Sequence, residues 1–178
     1  MDRPGLDWLT FDDQQIWPQV DETGQTFLEN STLKAEKLSR FFELPALADD
    51  SGLEVDALDG RPGIQSARFA GESATDASNV TKLLSELEKK SQNADVSRTA
   101  RFVAVVVLIW PDGRSLLATG ECRGSIARAP RGNNGFGYDP VFVPDGYDKT
   151  MAQMSPEEKN RLSHRGRALA ELNKKLKL

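Results

Sequence analysis

Cysteine is nearly absent from this sequence: Cys122 is the one thiol in 178 residues. No disulfide framework can form within the chain, which suits a reducing compartment. No histidine or second cysteine stands near Cys122, so it reads as a packed strand thiol and not as a nucleophile. Histidine is as scarce, with His164 alone. Long hydrophobic runs are missing too. The longest, 103–110, is far short of the roughly 20 apolar residues that cross a bilayer, and the opening MDRPGLDWLT has no basic-then-apolar leader pattern. There is no excess of positive charge: 23 Lys and Arg face 27 Asp and Glu, for a net charge of −4. That balance argues against binding nucleic acid by phosphate neutralisation. The expectation is a cytoplasmic protein with neither membrane nor nucleic acid as a partner. Several reaction signatures are absent as well. GxxxxGK followed by Ser or Thr would mark a phosphate-cradling P-loop, HExxH or paired CxxC would mark zinc, and GxSxG would mark a serine elbow. The chemistry must rest on acids, a lysine and backbone.

What is present fits one domain spanning 1–178, or one core split into two lobes. Thr26 and Glu29 have the spacing of a capping box, and Phe27, Ser31, Ala35, Leu38 and Phe42 recur at helical spacing, so a helix is expected over 27–43. Pro45 ends it. Residues 46–48 read as a short buried strand that stops at the turn-like Asp49-Asp50-Ser51-Gly52. Residues 59–73 are rich in Gly and Pro and read as loop. Thr75 or Asp76 can cap a second helix carrying Val80, Leu83, Leu84 and Leu87. Residues 88–97 read as a polar link. The β-branched run 101–110 is continuous, as in a strand covered on both faces. A turn at Pro111-Asp112-Gly113 leads into a return strand over 115–121, and a short strand follows at 141–143. Ser155, Pro156 and Glu158 open a last helix, with Leu162, Leu169, Leu172 and Leu176 as one stripe. Residues 1–25 show no clear period. Helices alternating with strands imply an α/β fold around a mixed sheet.

Three places hold candidate chemistry. Asp49 and Asp50 stand side by side at the end of a strand, and like charges so placed call for a cation or a shared proton. Mg²⁺ takes carboxylate oxygens and keeps several waters; one Asp can hold the ion and one can deprotonate a water. Asp21 and Glu22 are further acids nearby in sequence, Lys34 is a candidate phosphate contact, and Glu29 has a plainer use as a cap. The Asp-Asp-Ser-Gly stretch also reads as a plain turn. The loop 132–139, GNNGFGYD, offers flexible backbone, with Phe136 and Tyr138 able to stack on a planar ring and Asp139 able to accept hydrogen bonds; the plainer reading is a wide hairpin loop. In the last helix, Arg165 projects into the leucine stripe, with His164 beside it and Lys159 earlier. A guanidinium there is either paired with loop carbonyls or faces a cleft.

The runs DETGQTFLENSTLKA, ALADDSGLEVDALDGRPGIQSARFAG, RGNNGFGYDPVF and SPEEKNRLSHRGRAL, taken in order, resemble the inosine/xanthosine triphosphate pyrophosphatases from about residue 20 to the C-terminus. The resemblance implies an elongated mixed sheet with flanking helices, two lobes around a central cleft, and a homodimer. It implies Mg²⁺-dependent cleavage of ITP, dITP and XTP to the monophosphate and pyrophosphate. It makes Asp50 the general base and a metal ligand, with Asp21, Glu22 and Asp49 as further metal ligands. Ser51 and Lys34 meet the phosphate end, and Phe136, Gly137, Tyr138, Asp139, Lys159, His164 and Arg165 form the base pocket.

One departure stands out. The family opens with a strand and a Ser/Thr-x-Asn-x-x-Lys phosphate loop before a helix, and residues 1–25 contain no such loop. Two further readings follow: a nucleotide-binding remnant that has lost the triphosphate grip, or a phosphatase that releases orthophosphate from another ester.

Overall fold

The structure is a computed structural model and describes Asp7 and residues 9–13, 16–91 and 96–176. Parts of the irregular opening and of the polar link expected over 88–97 therefore lie outside the described residues. Helix α1 is Phe27–Phe42, and its capping box forms as the sequence implies. The Thr26 hydroxyl accepts from the Glu29 N–H at 3.1 Å, and the Glu29 carboxylate accepts from the Thr26 N–H at 3.2 Å. Strand β1 is Ala46–Val55, helix α2 is Asp76–Ser91, strand β2 is Thr99–Ile109, β3 is Ser115–Ile126 and β4 is Phe142–Pro144. Two helices, α3 (Pro156–Leu162) and α4 (His164–Lys175), close the chain. The architecture is α/β, with helices flanking a sheet in the order β1-β2-β3-β4. Every pairing among the described strands is antiparallel, where a mixed sheet was expected.

Two local expectations change. The strand does not stop at Ala48. Asp49, Asp50, Ser51 and Gly52 pair with Val106, Val105, Ala104 and Val103, so the ladder with β2 overrides the turn preference of those residues. Gly52 is small for packing reasons: a Cβ there would meet the Ser66 hydroxyl at 2.6 Å. The last helix is in fact two. Ser163 ends α3 and caps α4, its hydroxyl accepting from the Gly166 N–H at 3.0 Å. A projection that runs Leu162 and Leu172 as one stripe therefore crosses a break. Ser155 caps α3 with Pro156 in its first turn, but the Glu158 carboxylate turns to Lys149 at 2.6 Å and leaves that capping box half made.

Strand alternation sorts the core. One face of β1 and β2 presents Ala48, Val103, Val105, Val107 and Ile109 to Phe27 and Ala35 of α1. The other presents Ala104, Val106 and Leu108 to Ala168 and Leu172 of α4. Further along β1, Leu53 and Val55 join a larger cluster with Leu83, Leu87, Phe102 and Phe142. Cys122 is buried there, its thiol pushed up by burial, as a packed strand thiol should be. The acids at 49 and 50 thus lie on β1 between two apolar clusters.

Candidate active site

Asp50 faces α1. On that helix Asn30 and Lys34 are one turn apart and both reach it. The Lys34 ammonium is 3.0 Å from Asp50 Oδ1, and the Asn30 amide donates to Oδ2 at 3.3 Å. Glu22 approaches the same ammonium at 3.4 Å. Asn30 also accepts the Gly24 N–H at 2.8 Å, which ties the 21–24 loop to this spot. Burial holds the Asp50 carboxyl above its ordinary value; Lys34 and Asn30 pull it down, and Glu22 pushes with the burial. A half-buried carboxylate moved towards neutrality is suited to taking a proton from water.

Asp49 faces the other way, towards α4. Its Oδ2 accepts from Arg165 Nε at 2.7 Å. Beside it, Asp139 is buried and receives the Lys159 ammonium at 2.5 Å and the Phe136 N–H at 2.8 Å. Gly135 makes room for this pair. Its φ is +80°, which favours glycine, and a Cβ there would crowd Lys159 Nζ at 3.0 Å. The exposed Phe136 ring carries Lys159 Nζ at 4.4 Å and the Arg165 guanidinium at 5.4 Å from its centroid, both within cation–π range. His164 is buried and stacked on Phe102 at 4.7 Å and 9°. Its Nδ1 finds no hydrogen-bond partner among the described residues. Burial, helped by Arg165 and Lys159, lowers the ring to about 4, so it is neutral at pH 7.

Phe136, Lys159, His164, Arg165 and Leu169 line a cleft of about 450 Å³. A larger hollow of about 640 Å³ lies elsewhere, between α1 and the β2–β3 turn, and is lined by Leu28, Glu36, Trp110 and Leu117. It holds none of the candidate residues, so the smaller cleft is the candidate pocket on the α4 face, on chemical grounds.

The structure brings Glu22, Lys34 and Asp50 together on one face and Asp49, Phe136, Asp139, Lys159, His164 and Arg165 on the other. It does not bring Asp49 to the side of Asp50. Asp21 is exposed, and its carbonyl accepts the Thr23 N–H at 3.0 Å. Ser51 shares Asp49's face, opposite Ala104. Tyr138 offers no ring face to a ligand: it is buried, and its hydroxyl donates to the Ser66 carbonyl at 2.9 Å. Gly137 donates its N–H to Asp76 at 2.6 Å. Three positioning residues escape the sequence: Asn30, Ser66 and Asp76. Only Asn30 left a signal, one helical turn before Lys34.

The pattern of the Ham1 family matches residues 2–175. The chain belongs to the Ham1 family. Its relatives include the dITP/XTP pyrophosphatase of Halalkalibacterium halodurans, 51% identical over 155 residues, which are 87% of this chain and 78% of that one. That of Geobacillus kaustophilus is 52% identical over 156 residues, 88% of this chain and 75% of that one. Among solved structures, a HAM1 protein from Coxiella burnetii superposes with a TM-score of 0.84 at 45% identity, covering 89% of this chain and 80% of that one. The Ham1 protein of Staphylococcus aureus gives 0.81 at 46%, with the same coverage. The motif order that suggested the resemblance is therefore a property of a Ham1 family chain, and the cleft sits on that family's fold.

Proposed function

We propose that this chain hydrolyses non-canonical purine nucleoside triphosphates, dITP, ITP and XTP, to the monophosphate and pyrophosphate. Two groups at adjacent positions of β1 carry the reading: a half-buried carboxylate backed by a lysine on the α1 face, and on the α4 face a cleft with a ring, a neutral imidazole and two cations. The names of the relatives supply the substrate class. Asp50 takes a proton from the attacking water, the water oxygen bonds to phosphorus, and the anhydride bond between the α- and β-phosphates breaks to release pyrophosphate. Lys34, 3.0 Å from Asp50, neutralises phosphate charge. Phe136 lies against the base, and Lys159 and Arg165 hold donors at its rim. A purine 6-oxo group accepts from such donors, whereas adenine presents an amino group there, so a site built to pair the oxygen disfavours adenine.

Mg²⁺ fits the donor set. Asp50 and Glu22 already flank one positive charge, at 3.0 and 3.4 Å from Lys34 Nζ, and this ion commonly takes one or two carboxylates with waters. Among the described residues no group of three or more His, Cys, Asp or Glu converges, so waters and phosphate oxygens would fill the remaining positions. When bound, the ion would neutralise phosphate charge and polarise the water. A homodimer is part of the same reading and rests on the resemblance. A cytoplasmic setting rests on the single buried thiol and the absence of any described helix long and apolar enough to cross a membrane.

The test is pyrophosphate release from ITP and XTP against ATP and GTP, with Mg²⁺ and with EDTA. Metal-dependent release selective for ITP and XTP is expected. Orthophosphate as the product would point to a phosphatase. Nucleotide binding without turnover would point to a remnant.

A further inference from the structure

The two adjacent acids do different work. Side chains alternate along a strand, so neighbours point to opposite faces. Asp49 pairs in register with Val106, which packs against α4, and Asp50 with Val105, which packs against α1. One cation held by Asp50 and Glu22 on the α1 side is therefore out of reach of the Asp49 carboxylate. Asp49 instead accepts from Arg165 Nε at 2.7 Å. That bond uses the guanidinium's inner nitrogen. The two terminal nitrogens make no hydrogen bond among the described residues, and the side chain is 42% exposed where it lies over Phe136. A guanidinium is planar, so fixing Nε fixes the plane in which the outer N–H groups point. Ordering a long side chain before the ligand arrives removes that entropy from the cost of binding.

We propose that Asp49 is a positioning residue for purine selectivity, acting through Arg165, and takes no part in holding the cation or the attacking water. This rests on the proposed purine triphosphate reading. Two adjacent positions of β1 then serve the two ends of the substrate: Asp50 acts on the phosphate side, and Asp49 aims the donor that reads the base.

The experiment compares the wild-type chain with Asp49→Ala, Asp49→Asn, Arg165→Gln and the Asp49→Ala/Arg165→Gln double variant. Turnover of ITP and ATP is measured across a Mg²⁺ titration. Binding of inosine 5′-monophosphate and AMP is measured by calorimetry without Mg²⁺. Asp49→Ala is expected to lower the ITP-to-ATP ratio of kcat/KM roughly tenfold, mainly through KM, the scale of a lost charged hydrogen bond. The half-saturating Mg²⁺ concentration should move less than about twofold, since no cation ligand is lost. Asp49→Asn should recover part of the ratio, because an amide oxygen still accepts from Nε. The double variant should discriminate no worse than Arg165→Gln alone, as expected of coupled residues. Wild-type selectivity in Asp49→Ala overturns the proposal, as does loss of turnover on all nucleotides together with a Mg²⁺ requirement raised more than about tenfold. A wild-type chain that binds inosine monophosphate over AMP without hydrolysing either triphosphate, with the preference lost in Asp49→Ala, supports the tether and overturns the hydrolase reading alone.

Discussion

The two faces of β1 are built on different principles. On the α1 face, Asp50, Lys34 and Glu22 are partly open to water, with side-chain exposures of 12%, 20% and 37%, and one lysine serves two acids. On the α4 face, Asp139 and Lys159 form a closed one-to-one pair, 4% and 17% exposed, and the surrounding groups are rings and a guanidinium. A shared, hydrated set of charges can admit an ion and a polyphosphate with little rearrangement. A buried pair holds one geometry, because either member left alone would be a buried charge. The difference teaches where flexibility is tolerated: on the α1 face charges are shared and can regroup, whereas on the α4 face a closed ion pair anchors the exposed ring and guanidinium that lie over it.

Several substitutions would break or sharpen this contrast. Asp50→Asn should have the largest effect, lowering turnover on every nucleotide by about 10²–10⁴-fold, the usual contribution of a general base. The fold should survive it. Asp50's carboxyl is raised mainly by burial, so its ionised form costs stability, and that cost grows as pH rises above the ordinary carboxylate value of 3.8. Thermal melts at pH 7 should find the variant no less stable than wild type; full activity would remove Asp50 as the base.

On the opposite face, Lys159→Met strands the buried Asp139 carboxylate and should cost about 3–5 kcal/mol, read by urea unfolding. Asp139→Asn together with Lys159→Met should return much of it.

His164 should give the pH signature of that face. Its folded value of about 4 lies below the ordinary 6.5. Its contribution to stability is therefore full above 6.5 and is lost as pH falls towards about 4, on the order of 3 kcal/mol. His164→Phe should flatten the stability profile across that window.

The smallest effect is expected at Asp76. Asp76→Ala removes the acceptor of the Gly137 N–H, a contact worth about 1 kcal/mol. It should raise KM for ITP severalfold while kcat holds. A fall in kcat with KM unchanged would argue against a role in holding the Phe136 loop.

Some of this was legible because it is local. The Thr26–Glu29 box, the helix behind it and the continuous apolar run of β2 depend on residues within a turn or a strand of one another. Asn30 and Lys34 share a helix face, so their convergence follows once α1 exists. Other features were hidden because their partners are distant. Asp76 meets Gly137 across 61 residues, Tyr138 meets Ser66 across 72, and Arg165 meets Asp49 across 116. Spacing carries no record of such pairs. The Asp-Asp-Ser-Gly stretch reads locally as a turn for the same reason: what makes it strand is β2, which arrives some fifty residues later in register.

By itself the sequence determined the α/β class, α1 with its cap, the presence of paired acids before a serine and glycine, and the motifs that mark the Ham1 family. Only the tertiary structure decided that Asp49 and Asp50 part company. The strand pleat sends consecutive side chains to opposite faces, and helices from opposite ends of the chain, α1 and α4, meet them there. Adjacency in sequence is set by covalent bonds, whereas shared function needs a shared face, and that is decided by packing.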